Sequence, residues 1–353
     1  MASFQDPSLR EKVGQLFIVR PESLEPAISY ASDAELPARR LQAVSEGMRA
    51  RAAQYPAGGV LLYGHNIANP EQLLRFGAQL RSLPGAPLLC IDEEGGRVSR
   101  IANNPAFEVP HFESMAALAA EGTPQAAYDA AFAIGSYLRK YGLDIDFAPV
   151  ADVNTNPQNI IIGTRAFSDD PETAAPLVAA YVRGLSDAGI AGSLKHFPGH
   201  GDTLADTHLG YAFTRKTWEQ MLSCEMVTFR AGIAAGAPLV MAPHIGAPAV
   251  TGSDIPASLS PVILTGKLRG ELGYAGLIIT DALEMKGVAK DNANAALLAY
   301  KAGADILLMP QDTRQTIDEL DAAFQNGELD EADLNTRVRR VLELKQRSGM
   351  LAT

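Results

Sequence analysis

The sequence predicts a (β/α)8 TIM barrel with extended βα loops, and three observations carry that prediction. Eight short apolar runs recur along the chain, stretches with helical spacing fill most intervals between them, and ionisable residues gather where the runs end. A doubly wound sheet would use the same alternation. Eight strand–helix units favour the closed barrel, for which about 250 residues is typical. The expected organisation is a single domain over 1–353, with an elaboration at 21–57 after the first strand and a helical segment at 310–353.

The runs are 13–20 (VGQLFIVR), 58–64 (GGVLLYG), 87–93 (PLLCIDE), 143–150 (LDIDFAPV), 190–197 (IAGSLKHF), 238–244 (PLVMAPH), 276–282 (GLIITDA) and 303–309 (GADILLM). Each is nearly continuous rather than alternating and is often introduced by Gly or Pro, as expected for strands buried on both faces. Between them, 125–141, 171–188, 217–235 and 293–302 are rich in Ala, Leu, Glu and Arg, good helix formers. Near the end, Leu334, Val338, Val341 and Leu342 fall on one helix face. The surplus over a typical barrel lies at 21–57 and in two polar loops, 151–169 and 197–214. Both loops follow a strand and so open onto the C-terminal face of a barrel, where sites collect.

Composition narrows the function. The chain has 353 residues, 47% hydrophobic and 20% charged, with a net charge of −11. That is a globular composition. The acidic balance argues against a nucleic-acid partner and gives no attraction to an anionic membrane. No apolar run approaches the roughly 18–20 residues that span a bilayer, and Met1 to Pro7 lacks the regions of a signal peptide, so the expected location is the cytoplasm. Cys90 and Cys224 cannot build a disulfide framework and are expected to fill core space. Trp218 sits in a helical stretch and suits a core or an interface.

Ionisable residues mark the strand ends: Asp92, Glu93, Glu94, Arg97 and Arg100 after the third, Asp152 and Arg165 after the fourth, Lys195 and His196 at the fifth, His244 at the sixth, and Asp281 with Glu284 at the seventh. Such groups are costly unless paired; they form either ion pairs tying strand ends together or a site. The densest stretch, 195–208, holds three of six histidines. A metal site built on His196, His200 and His208 is disfavoured by Pro198 and Gly199, which break helical spacing, and no HExxH pattern is present. Asp206 and His208 offer another arrangement, a carboxylate orienting an imidazole as a proton shuttle; a solvated surface pair is the alternative. Asp281, rigid at the end of a buried strand, suits a nucleophile toward an anomeric carbon or, equally by spacing, a helix N-cap. Nucleotide-cradle and GxSxG patterns are absent, and no cofactor or metal is implied.

These motifs resemble a known family. Lys195-His196-Phe197-Pro198-Gly199-His200-Gly201 followed by Asp206-Thr207-His208 is similar to the signature of family 3 glycoside hydrolases, more narrowly their NagZ-type β-N-acetylglucosaminidase branch. Asp92-x-Glu94-Gly95-Gly96-Arg97, Asp146-Phe147-Ala148-Pro149-Val150 with Asp152-Val153-Asn154, Gly163-Thr164-Arg165-Ala166-Phe167 and Thr280-Asp281-Ala282-Leu283 support it in the expected order, over roughly residues 10–345. The resemblance implies a TIM barrel and a retaining double displacement, with Asp281 as nucleophile and His208, oriented by Asp206, as general acid/base. Asp92, Arg100, Arg165, Lys195 and His196 resemble the sugar-binding residues. Roughly 70 residues follow Asp281, few for an added domain, so the barrel is expected to supply its own acid.

The implied activity is exo-release of terminal β-linked GlcNAc, with a GlcNAc-containing glycan or muropeptide from peptidoglycan as substrate. A GlcNAc or glucoside phosphorylase, a broader β-glucosidase and a non-catalytic sugar-binding barrel are the alternatives. Departures from the family pattern are Glu93 where Gln is frequent, Ile160–Ile162 where Pro is frequent before Gly163, and the long 21–57 segment.

Overall fold

The computed structural model describes residues 7–26, 28, 40–205, 212–285, 288 and 294–349. Eight parallel strands form a ring in chain order: β1 Phe17–Val19, β2 Gly59–Leu62, β3 Leu88–Ile91, β4 Ile145–Asp146, β5 Ala191–Lys195, β6 Leu239–Ala242, β7 Leu277–Thr280 and β8 Leu307–Leu308. Every one lies within an apolar run read from the sequence. The register runs Ile18 opposite Gly59, Gly59 opposite Leu88, Cys90 opposite Ile145, Ile145 opposite Ala191, Ser193 opposite Leu239 and Leu239 opposite Leu277. Phe17 opposite Leu307 and a bridge from Ile279 to Ile306 close the (β/α)8 barrel.

Successive strand side chains point to opposite faces, and burial on both sides explains the continuous apolar runs. Leu61, Leu88, Cys90, Ile145, Met241 and Ile279 belong to a cluster filling the barrel interior. Their neighbours Val60, Leu62, Leu89, Ile91, Val240 and Ile278 belong to the layer under the helices. This alternation decides what happens at and just past each strand end: Asp92, Lys195 and Asp281 lie on the inward register, while Glu93 lies on the outward one.

The helices begin where local chemistry directs. Asn69, Thr123 and Asp170 cap Pro70–Arg81, Pro124–Lys140 and Pro171–Asp187, each accepting from the third helical amide; Pro at the first position costs no hydrogen bond. The stretch read as one helix at 217–235 is two, Trp218–Leu222 and Glu225–Ala234, interrupted at Ser223 and Cys224. Cys224 is therefore half-exposed at that break rather than in the core, whereas Cys90 is fully buried. Trp218 is core, its Nε1 donating to Glu271 Oε1 at 2.6 Å.

Within 21–57 the described residues form helices Pro21–Leu24 and Glu46–Gln54. At 310–353 they form Thr313–Gln325 and Glu331–Arg347. Val341 and Leu344 of the last helix join the interior cluster. Beside them, buried Lys345 donates through Nζ to Gln15 Oε1 at 2.5 Å and to the Gly85 carbonyl at 2.6 Å. Both acceptors precede strands, so this helix plugs the end of the barrel opposite the charged rim. Among the described residues no helix is long and apolar enough to cross a membrane.

Candidate active site

The inward register of β3 and β5 builds the first part of the site. Lys195 Nζ lies 2.9 Å from Asp92 Oδ1 and 2.5 Å from Glu94 Oε1. Asp92 and Glu94 are two residues apart in extended chain, so both reach the same side. Arg165 grips Glu94 with two parallel bonds, Nε to Oε2 and Nη2 to Oε1, each 2.7 Å; such bidentate pairs fix geometry as well as charge. Arg100 Nη2 stands 3.6 Å from Asp92 Oδ2.

Burial opposes the charge on Glu94, but Lys195 and Arg165 prevail and hold its carboxyl at about 2. Burial would also discharge Lys195; Asp92 and Glu94 outweigh it and raise the ammonium above its usual range. Glu94, Arg165 and Lys195 are therefore ionised together near neutral pH. Asp92 remains part-exposed, with oxygens able to accept from hydroxyls, while the cations offer donors.

The loop after β4 supplies a second unit. Asp152 is buried and its Oδ2 lies 2.7 Å from His196 Nδ1; its Oδ1 accepts the backbone N–H of His200 at 2.6 Å. Burial pushes the Asp152 carboxyl up, and His196 and His200 pull it net below its ordinary value. An ionised Asp152 can only accept, so His196 carries a proton on Nδ1 and presents Nε2 for other work. His200 has its own partner, Thr203 Oγ1 at 2.7 Å from Nδ1. The two imidazoles thus turn to separate partners, with ring centroids 5.6 Å apart.

Asp281 completes the described part. It follows β7, and its Oδ1 accepts the N–H of the next residue, Ala282, at 2.8 Å. No amide two or three residues on bonds to it and no described helix starts there, so the N-cap alternative falls away. Burial raises its carboxyl, but His244, His196, the Ala282 amide and Lys195 more than compensate, leaving it below its usual range and ionised. His244 is held by Ser258 Oγ, 2.7 Å from Nδ1, and by the Ala282 carbonyl, 2.9 Å from Nε2. A carbonyl accepts only, so Nε2 carries the proton and Nδ1 accepts from the Ser258 hydroxyl; burial, which lowers its pKa, agrees with this neutral form.

Asp206 and His208 lie outside the described residues. The chain enters and leaves their segment through an antiparallel ribbon, Leu204 opposite Phe213 and Ala205 opposite Ala212. Below it, Thr214 Oγ1 donates to Asp202 Oδ2 at 2.8 Å. The structure thus brings Asp92, Arg100, Arg165 and Lys195 into one network and sets His196 and Asp281 near it. It adds Glu94, Asp152 and His244, whose motifs or strand ends are legible but whose partnerships are not. The x between Asp92 and Glu94 is a usable signal; nothing in the sequence joins Asp152 to His196, which meet only because β4 and β5 are neighbours.

A closed barrel with buried carboxylates and histidines at the C-terminal rim defines a class of small-molecule site. The chain belongs to glycosyl hydrolase family 3: the model of that family's N-terminal domain matches residues 8–344. It is 38% identical over 285 residues to a β-hexosaminidase of Stenotrophomonas maltophilia, covering 78% of this chain and 82% of that one. It is 33% identical over 321 residues to β-hexosaminidase A of Pseudoalteromonas piscicida, covering 83% of this chain and 54% of the relative. Among solved structures it resembles a family 3 β-N-acetylglucosaminidase from Paenibacillus, with a TM-score of 0.85 and 36% identity over 98% of this chain and 64% of that one. A family 3 member from Mycobacterium smegmatis matches with a TM-score of 0.78 and 31% identity, covering 97% and 98%. The chain thus spans little more than half of the Pseudoalteromonas relative and under two thirds of the Paenibacillus one.

Proposed function

We propose that this chain is a retaining exo-β-N-acetylglucosaminidase that removes terminal β-linked GlcNAc, with peptidoglycan fragments as substrate. The observation that carries the reading is Asp281: an ionised carboxylate on the inward register of β7, fixed by its own backbone and surrounded by histidines. The names of the relatives supply the sugar, and the motif supplies the partner acid.

In this reading Asp92, Arg100, Arg165, Lys195 and His196 hold the terminal sugar. Asp281 attacks C1, forming an ester bond as the C1–O bond to the leaving group breaks, and His208 delivers a proton to the departing oxygen. Water then gives a proton to His208 while its oxygen bonds to C1, and Asp281 leaves as carboxylate. Asp206 orients and supports the imidazole through both steps. One histidine thereby serves as acid and then base, replacing the second carboxylate common in glycosidases.

The test is release of 4-nitrophenol from the β-GlcNAc and β-glucoside substrates side by side, in phosphate-free buffer. Strong preference for GlcNAc supports the reading. Preference for glucose would move the sugar assignment while leaving Asp281 as nucleophile. Turnover only in phosphate would make the chain a phosphorylase.

A further inference from the structure

Three acidic residues follow β3 without a break, and they do not share a side. Asp92 and Glu94 turn to Lys195. Glu93, fully buried, turns the other way, between the barrel and the helices. There both its oxygens are filled: Oε2 accepts the backbone N–H of Arg100 at 2.5 Å and of Ile101 at 2.9 Å, while Oε1 accepts the N–H of Ala102 at 2.8 Å and the Tyr137 hydroxyl at 2.8 Å. Between these contacts the chain makes a tight loop, Gly95 bridging to Val98, that ends at Arg100.

We propose that Glu93 is a positioning residue, whose carboxylate clamps the returning chain at 100–102 and thereby aims Arg100 at Asp92 and the bound sugar. The proposal rests on the reading of Asp92 and Arg100 as sugar-binding residues. Three of the four contacts are backbone N–H groups, which can only donate, and at least one of them faces each oxygen, so both oxygens must accept. A glutamine is isosteric, but its amide nitrogen would set N–H groups against the Ala102 N–H, whereas a protonated Glu93 would turn its O–H to Tyr137 and accept more weakly from the backbone.

The surroundings make that ionisation sensitive. Burial raises the Glu93 carboxyl; the amides of Ile101 and Ala102, the Tyr137 hydroxyl and the Arg100 amide pull it back without cancelling the rise. The groups around this layer are Tyr137 on Pro124–Lys140, Tyr181 on Pro171–Asp187, Asp146 on β4 and, across the strand, Asp92, Glu94 and Lys195. Asp146 accepts the Glu93 backbone N–H at 2.9 Å, and burial together with Glu93 itself drives its carboxyl well up, against the pull of that amide and of Lys195. The fold-specific consequence is a sugar affinity that falls with acidification above the ordinary glutamate range.

Two measurements test this on the whole chain. The first follows kcat and KM for 4-nitrophenyl β-GlcNAc from pH 4 to 8 in the wild type, E93Q and Y137F. In the wild type KM should climb as pH falls. E93Q should show KM raised about tenfold at pH 7, with a smaller change in kcat and no further acid climb, as expected for about 1.4 kcal/mol of lost binding. Y137F, deprived of one donor to the carboxylate, should move the climb to higher pH. A merely structural role would not shift that limb. The second measures amide exchange over residues 98–104 without substrate, corrected for intrinsic rates. E93Q should lose protection there while its melting temperature changes little.

Unchanged protection in E93Q, or lost protection with a wild-type KM profile, overturns the proposal. If E93Q does not fold, an unmoved acid limb in Y137F overturns it. A wild type silent on β-GlcNAc would overturn the sugar reading instead, and the exchange measurement would then decide the clamp on its own.

Discussion

His196 Nδ1 and Asp152 Oδ2 lie 2.7 Å apart with both side chains buried, and this contact sets the tautomer of the imidazole. Replacing Asp152 by Asn keeps the shape but removes the charge that holds the proton on Nδ1. D152N is expected to lose about 10- to 100-fold in kcat/KM on β-GlcNAc substrates, or about 1.4–2.7 kcal/mol. Stability should change with it. Asp152 titrates below its unfolded value, so its contribution is present above the unfolded aspartate range and is lost as pH falls through the folded pKa. Urea midpoints should therefore fall less steeply on acidification in D152N than in the wild type.

For Asp281, Ala removes the carboxylate proposed as nucleophile and should lower turnover by at least about 10³-fold without unfolding the barrel. Wild type with a slow fluorinated GlcNAc substrate should show a mass increase on the peptide holding Asp281. Normal turnover by D281A would end the assignment.

His208 is tested through leaving groups. H208A should impair substrates with poor leaving groups most, since these need the proton, and activated aryl glycosides least. Equal losses on both would speak against an acid role.

At the other end of the barrel, Lys345 is a stability probe far from the chemistry. Burial lowers its ammonium to about 7 despite Asp144 and Cys90. The unfolded chain binds that proton up to about pH 10.4, so folding stability should rise with pH through this window, by up to about 1.4 kcal/mol per unit. Denaturation midpoints from pH 7 to 10 should show this slope in the wild type and a shallower one in K345M. Identical slopes would refute the assignment.

Gly201 closes the motif at 195–201 for a steric reason. A Cβ there would sit 1.9 Å from the Val153 carbonyl oxygen and 2.5 Å from its carbon, both backbone atoms that cannot swing aside. G201A should cost about 2 kcal/mol or more, read as a lowered thermal midpoint together with lost turnover.

Much of this was visible in the linear chain. Continuous apolar runs located all eight strands because a strand buried on both faces has no polar side to show. The helical stretch read at 171–188 begins in the structure where Asp170 caps Pro171. The break at Ser223–Cys224 is not legible in the sequence, because both halves have good helix formers and neither Gly nor Pro marks the join. In the site, Asp92, Lys195 and Asp281 were legible as strand-end charges, and the inward register explains why those positions, rather than their neighbours, face one another. The partnership of Asp152 with His196 was not, since it depends on two strands meeting. Glu93 stands out in the sequence as an acid among acids and as a departure from the frequent Gln; its opposite orientation needs the register of β3 to be known.

The ring closes where Phe17 meets Leu307, joining a strand near the beginning of the chain to one near its end. During synthesis β1 has one flank satisfied by β2 and the other waiting for nearly all the remaining residues to emerge. Until then an apolar strand edge stands open, the kind of surface that invites pairing with other chains. Overproduction of this protein is therefore a contest between completing the ring and sticking to a neighbour, and slower translation or added chaperones should favour the first.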